Sequence, residues 1–304
     1  MSTLAARLPF GARIERFKGS YTAQILSQVV RDRLALVSLG ILLFFTVIAV
    51  IGPFIAPYDP RDRLMDENGQ LLVIASPSAE HLLGTTNVGR DIFSQLIVGT
   101  QAAFIIGGIA AIAEVAIAIV LGLVAGYYKG WRDNLLMRAV DVAYTLPVEP
   151  VAIVLLVFLG QSMWTVILAI VLLSWRNATR VLRTQVLSVS ERAFVKGARV
   201  AGASDFRILF RHILPTILPI AIIYLPVGFG NAIVAEAAIS FLGFGDPELT
   251  TWGLMLREVF DAGATQTAWW WIVAPGLCIT VVVSSMFFLT RAFEDVLNPR
   301  LQKR

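Results

Sequence analysis

Histidine, cysteine and lysine are nearly missing from this 304-residue chain, and charge of either sign is scarce. The single cysteine, Cys278, lies in an apolar run, so no internal disulfide is possible and the redox compartment is not marked. His81 and His212 are the only histidines, which leaves almost no material for a transition-metal site. Charged residues make up 15% of the chain, against about 25% in a soluble globular domain. The lysines are Lys18, Lys129, Lys196 and Lys303, and none follows a glycine, so no phosphate-binding loop of the Gly-Lys-[Ser/Thr] type exists. No His-Glu-x-x-His, Gly-x-Ser-x-Gly or paired-cysteine motif occurs either. A soluble enzyme is excluded, and if ATP drives this protein a partner must hydrolyse it.

What is present is apolar sequence: 57% hydrophobic residues and a mean hydropathy of +0.75. Uncharged stretches cover Leu34–Tyr58, Ile92–Ala113, Val115–Tyr128, Pro150–Trp175, Ile213–Ala235 and Ala262–Thr290. Runs of about 18 residues or more cross the ~30 Å hydrocarbon layer as helices. The chain is therefore expected to be an all-α membrane protein with six spans, at 34–57, 102–127, 140–159, 163–182, 214–235 and 266–290. Gly160-Gln161-Ser162 divides the third from the fourth as a tight turn. No cleavable signal peptide is visible, and the first span is expected to be retained.

All but Arg61, Arg63, Arg90 and Arg257 of the 25 Lys and Arg fall in segments that six spans place with the N-terminus: 1–33, 128–139, 176–213 and 291–304. The positive-inside bias then puts both termini in the cytoplasm. Acidic residues crowd the opposite loops, with Asp59, Asp62, Asp66, Glu67, Glu80 and Asp91 in the first and Asp246, Glu248, Glu258 and Asp261 in the last. Topology accounts for the +4 net charge, so no nucleic-acid partner is implied. Trp269-Trp270-Trp271 reads as an interfacial belt at the lipid boundary.

Carboxylates at membrane depth are costly and mark either function or helix contacts. Glu114 falls mid-span, Asp141 and Glu149 lie near the third span, and Glu236 closes the fifth. Glu114, Glu149 and Glu236 are the candidate pathway or gating residues. The segment 58–100 is polar, with a hairpin turn expected at Asp66-Glu67-Asn68-Gly69. In the segment 1–33, Tyr21 to Arg33 suits a helix along the membrane surface, with Ile25, Val29 and Val30 on its apolar side.

The loop 176–213 is the most informative stretch. Ser188-Val189-Ser190-Glu191 offers caps for an amphipathic helix through Phe194, Ala198 and Ala201. Gly202 interrupts it, and Ser204 can cap a second short helix from Asp205 to about His212, with Asp205 at its positive end. Gly197, Ala198, Ala201, Gly202 and Ala203 leave the hinge little bulk, which suits a knob seated in a groove of another protein. An ordinary basic loop lying on anionic lipid is the alternative.

Lys196-Gly197-Ala198-Arg199-Val200-Ala201-Gly202-Ala203-Ser204-Asp205, continuing through Arg211-His212-Ile213-Leu214-Pro215, resembles the EAA loop of ABC importer permeases, and most of all the dipeptide, oligopeptide and nickel permease family. Lys196 stands where that family usually has Glu, and Gly197 where it has Ala. His81-Leu82-Leu83-Gly84-Thr85 with Gly89-Arg90-Asp91-Ile92-Phe93-Ser94 is similar to the segment before the second span of one permease type, with Thr86 in place of the usual Asp. Glu236 through Gly245, including Ser240-Phe241-Leu242-Gly243, resembles the stretch after the fifth span. Asn298-Pro299-Arg300-Leu301 matches the family's ending.

The resemblance implies a type I importer transmembrane domain: a core of five helices over 101–290 behind the first span at 34–57. It implies a heterodimeric pore with a homologous permease, two cytoplasmic ATPases, an extracytoplasmic solute-binding protein and an inner-membrane location. Lys196, Gly197, Ala198, Arg199, Ala201, Gly202, Ala203, Ser204 and Asp205 would couple to an ATPase. ATP and Mg would be bound by the partners, with no cofactor in this chain. Peptides are the implied solutes, with nickel chelates or oligosaccharides as alternatives. Glycine and proline breaks at Gly107-Gly108, Pro147, Pro150, Pro226, Gly228 and Gly230 would tolerate bending. Segment 58–100 would contact the binding protein or fold over the pore mouth. A self-contained ion-coupled carrier using Glu114 or Glu236 is the reading from another class, and a membrane-embedded enzyme is a third.

Overall fold

The computed structural model describes residues 32–297, with side chains as far as 294. The expected surface helix at Tyr21–Arg33, most of the segment 1–33 and the Asn298–Leu301 motif lie outside the described residues. Among the described residues regular structure is helical, apart from isolated bridges between Met65 and Leu71 and between Thr85 and Asp91.

Helix α1 (Arg33–Ile55) starts at Asp32, whose carboxylate accepts the Leu34 backbone N–H at 2.9 Å. Helix α2 (Ile92–Tyr128) is 37 residues long. The helix that holds the span expected at 102–127 thus starts ten residues before it. Asp91 is the cause: its Oδ2 accepts the Ser94 N–H at 2.8 Å and fixes the helix start ahead of the most apolar stretch.

A larger correction concerns the third span. Helix α3 (Gly130–Thr145) and helix α4 (Val148–Leu159) meet at 91°. Residues 140–145 belong to α3, not to a straight span over 140–159. Pro147 forces the residue before it out of the helical region, and Leu146 is extended at φ −84, ψ 122. The turn at Gly160–Ser162 leads into helix α5 (Met163–Ser174), capped by Ser162 and by Asp246, whose Oδ2 accepts the Met163 N–H at 2.8 Å. The fourth span, expected over 163–182, is also broken: α5 bends by 44° at Trp175 into helix α6 (Arg176–Ser190).

Helix α7 (Ala193–Val200) and helix α8 (Asp205–Ile208) follow. A π turn (Leu209–Ile213) joins α8 to helix α9 (Leu214–Phe241) without a gap. The expected separate helix ending near His212 is therefore the first part of a 37-residue stretch, Asp205–Phe241. Pro215 lacks the N–H that would bond the Arg211 carbonyl, and the wider π turn sits where that ladder fails. Helix α10 (Trp252–Asp261) and helix α11 (Trp269–Leu297) complete the described residues.

Among the described residues four helices are long and apolar enough to cross a membrane, and up to six spans result if each bent pair counts as one. One core cluster joins α2, α4, α5 and α9 through Ile106, Leu156, Ile170 and Ile239. A second joins α1, α2, α9, α10 and α11 through Leu42, Ile233, Trp252 and Val282. Outward faces stay apolar, with Phe54 86% and Phe158 82% exposed, which fits lipid or another membrane subunit rather than water.

Candidate coupling site

The site is built where α2 ends. Small residues let α6 lie close along α2. A Cβ on Gly126 would fall 2.7 Å from Val186 Cβ, and one on Gly122 3.0 Å from Leu182 Cβ. This Gly-x-x-x-Gly spacing is the membrane-helix close-packing pattern, a signal legible in the sequence that the loop-centred reading passed over. Arg183 then forks onto Asp133, its Nη2 donating to Oδ2 at 2.6 Å, which ties α3 to α6. No short-range pattern announces a pair fifty positions apart.

At the end of α6 the expected caps do other work. α6 runs through Ser190, whose hydroxyl donates back to the Leu187 carbonyl at 2.9 Å. The residue before α7 is Arg192, which makes no side-chain capping bond. Glu191 is held by two ammonium groups, Lys129 at 2.5 Å and Lys196 at 3.0 Å. Hydrogen bonding from Lys129 first, and Lys196 second, lowers its carboxyl to about 2. Lys196, standing where the resembled family has Glu, thus bonds within its own loop.

The inward face of α7 is also shifted by one residue from the expected one. Val195 is buried and Ala198 partly so, whereas Phe194 and Ala201 are exposed. Val195 packs with Ile208, Leu209 and Ile213 against Leu123 and Tyr127 of α2. The helix closes with the Ala203 N–H bonded to the Ala198 carbonyl at 3.0 Å and Gly202 at φ +78, where a side chain would be strained. Ser204 then caps α8 by accepting the Arg207 N–H at 3.5 Å. Asp205 accepts a hydrogen bond from the Tyr127 hydroxyl at 2.7 Å. The Arg199 guanidinium lies 5.5 Å from the Tyr127 ring centre.

Lys196, Gly197, Arg199, Ala201, Gly202, Ser204 and Asp205 are exposed together, while Ala198 and Ala203 turn partly inward. Apart from the adjoining backbone, no atom of the described residues lies within 4 Å of the Cβ position of Gly197 or Gly202. Beside this bare surface, Val200 is 90% and Phe206 70% exposed. Arg192, Arg207 and Arg211, in the same loop, are exposed as well. The arrangement is an apolar, low-bulk knob in a basic rim, fastened to the end of α2 by Lys129–Glu191 and Tyr127–Asp205. Sequence reasoning missed both Tyr127 and Lys129.

The three candidate pathway carboxylates do not gather. Glu114 is buried in α2 against Gly228 of α9, where a Cβ would lie 3.0 Å from Glu114 Oε2. Glu236 is buried two turns further along α9 and accepts a hydrogen bond from Ser240 Oγ at 2.6 Å. Glu149 is exposed on the first turn of α4.

At the other end of α2, Tyr58 N–H donates to Ser94 Oγ at 3.1 Å and His81 Nδ1 lies 3.1 Å from Asp91 Oδ1. These contacts give the His81…Ser94 motif its structural sense: it pins the segment 58–91 to the start of α2. The turn at Asp66–Gly69 forms there, with Asp66 Oδ1 accepting the Gln70 N–H at 2.7 Å.

The family model described as "Binding-protein-dependent transport system inner membrane component" matches residues 118–303, and the one described as "N-terminal TM domain of oligopeptide transport permease C" matches residues 20–72. The dipeptide transport system permease protein DppC of Bacillus subtilis (strain 168) is 32% identical over 292 residues, which cover 95% of this chain and 89% of that protein. DppC of Alkalihalophilus pseudofirmus is 33% identical over 90% of this chain and 88% of its own length. The glutathione transport system permease protein GsiD of Pectobacterium atrosepticum is 32% identical over 90% of this chain and 89% of its own length. With matches across both the first span and the helical core, the chain belongs to the family of binding-protein-dependent transport system inner membrane components, as a multi-pass permease of the ABC importer type.

Proposed function

We propose that this permease forms one half of the pore of an ATP-driven peptide importer, paired with a homologous second permease. The α7–α8 knob enters a groove on a cytoplasmic ATPase, and a solute-binding protein docks at the α10 end. Lys196, Gly197, Ala198, Arg199, Ala201, Gly202, Ala203, Ser204 and Asp205 form the coupling surface. ATP and Mg belong to two ATPase subunits, and this chain binds no cofactor. The knob lies in the cytoplasm with both termini, because all but four of the Lys and Arg fall on that side. Peptides are favoured as solutes because the relatives in Bacillus subtilis and Pectobacterium atrosepticum are named for dipeptide and glutathione.

The observation that carries this reading is the fastening of the knob to α2. Lys129–Glu191 and Tyr127–Asp205 tie the loop to the end of a membrane-crossing helix, which supports their moving together. ATP-driven closure of the ATPases would displace the knob, and α2 would carry the displacement through the membrane.

Gly197→Glu is the test. A Cβ at this exposed position has no neighbour within 4 Å among the described residues, so the variant is expected to reach the membrane and keep its thermal midpoint. Uptake should fall to background, and ATPase subunits should no longer co-purify in mild detergent. Undiminished uptake would remove the coupling assignment. The second reading, an ion-coupled carrier, is favoured by the buried Glu114 alone. It requires solute uptake by the purified chain without ATP or any ATPase, and vanadate-sensitive uptake excludes it.

A further inference from the structure

Three of the four cationic residues placed away from the coupling side, Arg61, Arg90 and Arg257, converge on one cavity of about 450 Å³ at the α10 end. Each meets a carboxylate in the cavity wall. Arg61 Nη1 lies 3.7 Å from Glu248, Arg90 Nη1 3.4 Å from Glu258, and Arg257 Nε 3.0 Å from Asp261. The wall therefore carries three charges of each sign and no net charge. A simple anion or cation would be drawn by half of such a wall and repelled by the other half. A small molecule with both signs of charge is matched by it.

The ion pairs leave capacity unused. Arg90 Nε, Glu258 Oε2 and Gln95 Oε1 are buried without a hydrogen-bond partner among the described residues. Buried polar atoms in this state call for a partner. Gly243 shows that the wall is shaped around its cation. A Cβ there would fall 1.1 Å from Arg257 Nη1, so the guanidinium rests on the glycine itself, whose φ of +91 is one that residues with a side chain rarely adopt. The volume lies within the range of ~300–1,000 Å³ usual for small-molecule sites. A second cavity of about 150 Å³ shares Arg61, Glu248, Leu249 and Thr250 with the first, and continues along α2 past Gln101, Ala102 and Ile105.

We infer that this cavity is a subsite for a zwitterionic solute, a short peptide with both termini free, at the head of the path along α2. The peptide carboxylate lies towards Arg90 and Arg257 and its ammonium towards Glu258 and Asp261. The inference rests on the peptide-import reading.

The test uses the assembled permease pair with its ATPases in nanodiscs, without the solute-binding protein, and alanyl-alanine as the probe. Binding is read by saturation-transfer NMR, beside N-acetyl-alanyl-alanine, alanyl-alanine amide and acetate. Alanyl-alanine is expected to bind at least tenfold more tightly than any of the three. Arg257→Gln, whose side chain is partly exposed, should remove that preference while the complex assembles normally. Asp261→Asn is the second variant and should weaken alanyl-alanine while sparing the amino-blocked peptide.

Equal binding of all four probes, or acetate binding alone, would overturn the subsite in favour of water-filled bracing ion pairs. So would a preference untouched by both variants. Peptide uptake by the complete importer, measured in parallel, separates the failures. Uptake that persists while the preference is absent leaves the import reading standing, and absent uptake of any peptide removes that reading itself.

Discussion

Gly126 has no room for one more carbon: a Cβ would meet Val186 Cβ at 2.7 Å and the Arg183 carbonyl oxygen at 2.8 Å. One of these is backbone, so no side-chain rotation relieves the clash. Gly126→Ala is expected to separate α2 from α6 and to cost about 1–3 kcal/mol, the usual range for overpacking. The check is a thermal unfolding midpoint in detergent, which should fall, whereas Gly197→Ala, in open space within helix α7, should leave it unchanged or raise it slightly. Gly243 makes the same point at the other end of the molecule. Its place in Ser240-Phe241-Leu242-Gly243 reflects the Arg257 guanidinium lying over it, and Gly253 permits a comparable approach, with a Cβ there only 2.7 Å from Ala237 Cα. Such glycines are visible in a sequence, but what each makes room for is set by residues far away along the chain.

Within the coupling element, legibility followed distance in sequence. The stop at Gly202, the cap at Ser204, the turn at Gly160–Ser162 and the turn at Asp66–Gly69 are written in adjacent residues, and the structure contains each of them. The bend at Pro147 is marked by its proline, but nothing local gives its 91° angle or the Asp133–Arg183 pair that ties α3 to α6. The partners Lys129–Glu191 and Tyr127–Asp205 are separated by 62 and 78 positions, and nothing local connects them. Tyr127–Asp205 is part-buried where Lys129–Glu191 is exposed and screened by solvent, and hydrogen bonds to charged groups contribute about 1.5–3 kcal/mol. Tyr127→Phe should therefore loosen the knob by about tenfold or more in its fastening equilibrium. Uptake per ATP hydrolysed should fall in proteoliposomes with the amount of assembled importer unchanged.

The Glu191 pair has its own signature. A carboxyl lowered from 4.5 to about 2 in the folded chain stabilises it above 4.5 and loses that contribution as pH falls towards 2. The thermal midpoint of the wild type should rise across that window. The rise should be absent in Glu191→Gln and flattened by about 1 M salt, since the site is solvent-exposed.

For the molecule as a whole, charge distribution gives the orientation a direct test. In a Cys278→Ser background, Arg207→Cys should resist a membrane-impermeant maleimide in intact spheroplasts and react after lysis. Arg63→Cys should react in both. The reverse pattern would invert the topology.

The length of α2 ties these ends together. At 1.5 Å per residue its 37 residues reach about 55 Å, nearly twice the hydrocarbon layer. Asp91 and Gln95 stand at one tip, beside Arg90 and the mixed-charge cavity, and Tyr127 stands at the other, against the knob. A lever of that length pivoting by ten degrees about its midpoint swings each tip by about 5 Å. If the knob is driven as proposed, one such swing would open or narrow the mixed-charge cavity in the same movement, without any relay of separate side-chain changes between them.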